Sequence, residues 1–271
     1  MRMSVSRPLQ SYNPPILQSS KKTTFAPVET RINKYLSEVG FCSRRAADIL
    51  IEECRVTING KVPEMGTKVK EGDDVRVDGK PIKPTGEQHV YIALNKPVGI
   101  VCTTNVRGKK NNIVDFVKHP KRIFPVGRLD KASEGLILLT SDGDIVNKIL
   151  RARNHHEKEY IVSVNKPIND DFVKRMSSGI PILDTVTRPC VVQKIGRCSF
   201  RIILTQGLNR QIRRMCEYLG FSVTRLQRVR IMNIMLDTPV GVWRNLTSQE
   251  LQHLGQLTEE SKGVAEEVDE E

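Results

Sequence analysis

The chain has 271 residues, a formal charge of +12, and 38% hydrophobic against 27% charged residues. That balance suits a folded soluble protein with one main core and a small accessory domain, and it excludes a disordered chain. No apolar run approaches the roughly 20 residues of a membrane span. Six cysteines (Cys42, Cys54, Cys102, Cys190, Cys198, Cys216) have neither paired spacing nor a nearby histidine. A zinc site and, at this length, a disulfide framework are therefore not expected, and reduced thiols point to a cytoplasmic compartment. The charge is unevenly spread: Thr258 to Glu271 carries seven acids against Lys262, and without that net −6 the rest of the chain stands at +18. A polyanion is the expected partner, nucleic acid ahead of membrane because no basic amphipathic helix or lipidation signal is present. Solubilising surface charge is the plainer alternative.

In chain order, residues 1–29 are rich in Pro, Ser and basic residues and have no acid before Glu29. They read as a flexible basic arm without the apolar core of a secretory signal; an organelle transit peptide is the alternative. Ile32, Tyr35, Leu36 and Val39 repeat at helical spacing up to Gly40. A second helix opens at Ser43, an expected N-cap. Arg44 and Arg45 then occupy its first turn, where cations oppose the helix dipole. The placement makes sense if a phosphate is received there, and solvated arginines are the alternative. Val56–Ile58, Asn59-Gly60 and Lys61-Val62 form one hairpin signature, and Asp74–Val77, Asp78-Gly79 and Lys80–Ile82 a second. Lys83 to His89 has linker composition, so residues 30–86 are read as the accessory domain.

The second domain, residues 90–254, begins with the strand Val90–Leu94. Asp144 is expected to cap a helix through Ile145, Ile149 and Leu150, and Asn169 one through Phe172, Val173 and Met176. Glu159–Val164, Cys190–Ile195, Phe200–Thr205 and Val223–Leu236 read as strands, with a helix near Asn209–Leu219 between the last two. Thr247-Ser248-Gln249-Glu250 is a capping box ahead of a C-terminal helix, and residues 255–271 are expected to be an acidic, disordered tail. Mixed strands and helices without regular βαβ alternation predict an α+β domain on a largely antiparallel mixed sheet with flanking helices.

The stretch Phe124–Thr140 organises this domain. Gly127 and Gly135 bracket an irregular loop carrying Arg128 and Asp130, and the apolar run Leu136–Leu139 anchors it as a strand. A carboxylate beside an arginine on a rigid loop suits nucleophilic or acid–base chemistry. Capping a turn or pairing at the surface is the ordinary alternative for Asp130. Paired with Glu134, it also fits a glycosidase or nucleosidase hydrolase.

Over residues 30 to 82, the two helices, twin arginines and hairpins resemble an S4-type RNA-binding domain. Behind it, NKPVGIVCT, FPVGRLDKASEGLILLTSDGD, HEKEYIVSV and GLNRQIRRMCEYLG follow in order. Together they resemble the RsuA branch of pseudouridine synthases over about Thr30 to Leu254. NNIVDFV, HEKEYIV, RVRIMNI and WRNLT are most similar to members acting on large-subunit ribosomal RNA. The resemblance implies isomerisation of uridine to pseudouridine without a cofactor or metal. It implies Asp130 as the catalytic residue, Tyr160 as a stacking face and proton relay, and Arg213 as the ion-pair partner that keeps Asp130 ionised. Without the motifs, Tyr160 reads as a buried strand aromatic and Arg213 as a solvated arginine. Arg128 is implied to fill the space of a flipped base, with a salt bridge to Asp130 or a phosphate contact as alternatives. Ile212 is implied as apolar wall, and Lys96, Pro97, Gly127 and Gly135 as structural support.

Arg44, Arg45, Lys34, Lys61, Arg210 and Arg214 are the expected RNA contacts. Arg107, Lys109, Lys110, Lys118, Lys121, Arg122, Arg151, Arg153, Arg225, Arg228 and Arg230 supply further basic surface. The expected partner is structured RNA: large-subunit rRNA first, with small-subunit rRNA or a tRNA anticodon-loop uridine as further candidates. A monomer is the default. A non-catalytic S4-type RNA-binding or ribosome-assembly protein is the alternative from another class.

Overall fold

The computed structural model describes residues 29–83, 88–104, 111–150 and 155–268, with side chains through Glu259. The expected arm up to residue 28, the linker residues 84–87 and the basic residues Arg107, Lys109, Lys110, Arg151 and Arg153 lie outside the described residues. The N-terminal module consists of β1 (Thr30–Arg31), α1 (Ile32–Glu38), α2 (Arg44–Glu52), β2 (Val56–Ile58), β3 (Lys68–Val69), β4 (Val75–Val77) and β5 (Lys80–Pro81). Its core is formed by Ile32, Leu36, Ala47, Ile51, Val56, Val69, Val75 and Val77, at the helical and alternating spacings of the sequence. Ser43 caps α2, its Oγ accepting from the Ala46 N–H at 3.1 Å. The second expected hairpin forms, with Val77 opposite Lys80 across Asp78-Gly79. The first does not extend. Only Ile58 and Lys61 bridge, and β2 pairs with β4 instead. Pro63 follows directly and has no N–H to continue a ladder.

The second domain runs β6 (Tyr91–Lys96), α3 (Ile113–Val117), β7 (Phe124–Val126), β8 (Glu134–Thr140), α4 (Gly143–Leu150), β9 (Lys158–Val164) and α5 (Asp170–Ser177). It continues with β10 (Pro181–Ile182), β11 (Thr185–Val186), β12 (Val191–Gly196), β13 (Ser199–Leu204), α6 (Gln211–Tyr218), β14 (Val223–Ile231), β15 (Ile234–Met235), β16 (Trp243–Asn245) and α7 (Ser248–Val268). A nine-stranded sheet in the order β12-β13-β9-β14-β8-β6-β16, with β15 beside β14 and β7 beside β8, forms its frame. Every pairing in it is antiparallel except β14 with β8, where Gln227 lies opposite Glu134 and Arg228 opposite Gly135. The domain is therefore α+β on a mixed, largely antiparallel sheet. Along β8 the side chains alternate: Ile137 and Leu139 join a core with α3, Leu136 and Leu138 one with α4 and α7. A third core gathers β9, β13, α5 and α6.

Several ends differ from expectation for local reasons. Asp142, not Asp144, caps α4: its Oδ1 accepts from the Asp144 N–H at 2.9 Å. Asp144 instead reaches the N-terminal module, pairing with Lys34 Nζ at 2.7 Å, while Arg122 Nη1 donates to Ser37 across the same boundary. Asn169 does cap α5, accepting from the Phe172 N–H. The capping box is reciprocal, Thr247 N–H to Glu250 Oε2 and Glu250 N–H to Thr247 Oγ1. From that start α7 continues to Val268, so the segment expected to be disordered from residue 255 is helical for most of its length. Leu251, Leu254 and Leu257 fasten it to the α4 core, and glutamates propagate a helix readily.

The parallel junction leaves no room for a side chain at Gly135. A Cβ there would stand 2.3 Å from the Arg228 carbonyl oxygen and 2.7 Å from its nitrogen, and φ is +100°. Gly135→Ala is expected to cost at least about 2 kcal/mol of stability, through steric overlap and left-handed strain. Denaturant unfolding measures it, and a loss below about 0.5 kcal/mol would contradict this packing.

Candidate active site

Between β7 and β8 the chain turns at Gly127, whose φ is +76° and where a Cβ would press on Leu150 at 3.0 Å. The following loop is held almost entirely through its main chain. The Ser133 N–H donates to the Asp130 carbonyl, and the Gly99 N–H to the Lys131 carbonyl. The Leu129 N–H points at the buried Cys102 Sγ at 3.4 Å. From α6, Arg213 Nη2 donates to the Ala132 carbonyl at 3.0 Å and to Ser133 Oγ at 3.1 Å. Beneath the loop, fully buried Lys96 donates to the carbonyls of Pro97 and Ile100. Burial pushes its ammonium below the usual lysine range, and the charges of Cys102 and Asp130 oppose the shift.

Asp130 is half-buried, and among the described residues its carboxylate has no hydrogen-bond or ion-pair partner. The expected Asp130–Arg213 ion pair does not form. The guanidinium is drawn to the loop carbonyl instead, leaving Nε buried without a partner. Burial, and then the like charge of Arg210, lower the Arg213 pKa; the charge of Asp130 raises it.

Asp130 opens on a cleft of about 670 Å³ whose lining contains six cations (Arg128, Lys158, Arg188, Arg210, Arg213, Arg228) and one carboxylate, Asp130 itself. Leu204, Ile212, Leu226 and Ile231 supply apolar wall, and Tyr160 an aromatic face. Glu134, the second carboxylate required by the hydrolase alternative, pairs with Arg225 at 2.6 Å and is not among the lining residues.

Of the expected RNA contacts, Arg128 and Arg210 are exposed at the cleft, and Arg44 and Arg45 are exposed on the first turn of α2. Lys61 is exposed on its turn. Lys34 is committed to Glu38 on α1 and to Asp144 on α4. Arg214 turns back to the Asn209 carbonyl and does not line the cleft.

Lys158 and Arg228 are cleft residues that the motifs do not single out. Lys158 stands two residues before Tyr160 on β9, so strand alternation alone places both on one face. Arg228 is opposite Tyr160 across β14, just before a bulge, and its guanidinium carbon lies 6.0 Å from the Tyr160 ring centroid. That pairing joins residues 68 apart and has no local signal. Burial first, then the charge of Arg228, push the Lys158 ammonium down to about 8.

Lys158 therefore destabilises the folded chain while it is charged. Between pH 8 and its ordinary value of 10.5, the unfolded chain binds the extra proton, so stability rises with pH across that window. Lys158→Met is expected to unfold a few degrees higher than the parent at pH 7, a gain of about 2–4 °C per kcal/mol relieved. The gain should shrink from pH 8 towards 10.5. Thermal melts across that range check it, and a lower midpoint at pH 7 would contradict it.

Comparison with known proteins shows what this arrangement is similar to. A family profile described as RNA pseudouridylate synthase matches residues 90–218, and one described as S4 domain matches residues 30–75. The chain is 59% identical to the dual-specificity RNA pseudouridine synthase RluF of Salmonella typhi, covering 87% of this chain and 82% of that protein. It is 32% identical to the ribosomal large subunit pseudouridine synthase B of Bacillus subtilis, over 86% of this chain and 99% of that protein. A solved pseudouridylate synthase superposes with a TM-score of 0.62 at 28% identity, covering 83% of this chain and 99% of the other.

Proposed function

This chain belongs to the RNA pseudouridylate synthase family, and on that premise we propose that Asp130 isomerises a uridine of folded large-subunit ribosomal RNA to pseudouridine. The reaction breaks the N1–C1′ bond, turns the detached base, and joins C5 to C1′, with no net redox change. The observation that carries the reading is the carboxylate of Asp130, unpartnered among the described residues, on a main-chain-fastened loop, facing a cleft whose other charged lining residues are all cations. An ionised, uncommitted carboxylate is required whether it attacks the sugar or removes a proton from it. A base inside a helix must first leave its stack, at a cost of a few kcal/mol. Arg128 at the rim is suited to filling the vacated space, Tyr160 to stacking the flipped uracil, and Ile212 to walling its edge. Arg213 serves by holding the loop through Ala132 and Ser133.

The choice of large-subunit RNA draws on the name of the Bacillus subtilis relative. The dual specificity named for the Salmonella relative favours a second substrate here, for which a tRNA anticodon-loop uridine is suited. Mapping pseudouridine in total RNA from cells with and without this gene identifies the transcript. On that transcript, Asp130→Asn is expected to lower the single-turnover rate at least about 10³-fold while changing RNA affinity less than threefold. Parallel losses of rate and affinity would contradict the division of labour.

Arg44 and Arg45 are exposed in the first turn of α2, where a phosphate would also meet free N–H groups. Replacing both with alanine is expected to reduce the slope of log affinity against log salt by about 2. An unchanged slope in binding titrations would exclude phosphate contact at this helix.

A further inference from the structure

Two cations at the back of the cleft have no task in the chemistry above. Arg228 is 3% exposed; its Nε donates to the Leu136 carbonyl at 2.7 Å, while Nη2 is buried without a partner among the described residues. Lys158 donates to the His156 carbonyl at 3.1 Å and has no carboxylate partner among the described residues. Both flank Tyr160: Lys158 as the alternate residue of β9, Arg228 as its opposite number on β14. Two neighbouring desolvated cations without an anion are unfavourable in the empty protein. The same pair becomes favourable when negative charge enters the space before them, because low-dielectric surroundings strengthen a pre-oriented donor.

The isomerisation generates such a charge. When N1–C1′ breaks heterolytically, the bonding pair leaves with the base and is shared among N1, O2 and O4. We propose that Lys158 and Arg228 hold the detached uracil as its anion, donating to its ring oxygens while it turns on Tyr160 to present C5 to C1′. C5 then returns an electron pair to the electron-poor C1′, its proton passes to solvent and N1 takes one up, so that protons and electrons balance, the product is an isomer and no other reactant is required. The assignment rests on the synthase reading. The competing occupant is a backbone phosphate of the bound RNA, which would draw on the same cations for affinity and not for rate.

The test uses the full chain and the mapped transcript, with either uridine or 5-fluorouridine at the target. Fluorine stabilises the ring anion and lessens its dependence on protein donors. Conversion of the uridine transcript by the parent protein tests the synthase reading separately. At saturating enzyme, Lys158→Met is expected to slow single-turnover loss of target uridine at least tenfold, with RNA affinity within twofold. Lys158→Arg should recover at least a third of the rate, and the Lys158→Met deficit should shrink at least threefold on the 5-fluorouridine transcript. Arg228→Lys, which keeps the charge but loses the forked donor, should show the same substrate dependence. An undiminished rate, a deficit equal for both nucleotides, or a loss confined to affinity would each overturn the proposal, the last in favour of a phosphate.

Discussion

The loop bearing Asp130 is held by its backbone, and this leaves the carboxylate free. Hydrogen bonds from Gly99, Ser133 and Arg213 reach loop carbonyls, and Arg213 also reaches the Ser133 hydroxyl. The far end of the loop is fixed by the only parallel pairing of the large sheet among the described residues, where β8 and β14 approach so closely that position 135 tolerates no side chain. Had the same rigidity come from a salt bridge to Asp130, the carboxylate proposed to react would have been occupied by its own support. Pre-organising a group without engaging it is what an active site requires of its scaffold.

A second consequence is electrostatic. Lys96 under the loop, Arg213 beside it and Lys158 behind Tyr160 are all buried enough for their pKa values to fall. Of the three, Arg213 and Lys158 line the cleft, where an entering negative charge would offset the cost of their burial. The acids near the cleft are meanwhile committed elsewhere. Glu134 is tied to Arg225, and Glu159 to Arg201 and Arg230. The field inside is thus left to cations and a single carboxylate. The N-terminal module contributes through α4, which it meets by the Lys34–Asp144 pair and whose Ile149 and Leu150 line the cleft.

Much of this was legible where the signal is local. Ser43, Asn169 and the Thr247–Glu250 box announced their helices, and the apolar run Leu136–Leu139 announced a buried strand. The Gly127–Gly135 bracket marked the loop that carries Asp130. What the chain order concealed was non-local. The partners of Arg213, the closeness of Arg228 to Tyr160, and the diversion of Lys34 to Asp144 all depend on which elements meet. The acidic composition of residues 255–271 suggested disorder, whereas a capped start and a leucine stripe carry α7 as far as Val268.

A synthase keeps the detached uracil in its cleft and rejoins it to the same ribose, whereas a hydrolase releases it. The most direct measurement is a product balance on the converted transcript: complete digestion to nucleosides, with separate collection of any free base. Every uridine lost should reappear as pseudouridine, with chain mass unchanged and no uracil in the free fraction. Free uracil in proportion to the uridine lost, with an abasic site left behind, would show a hydrolase and contradict the account.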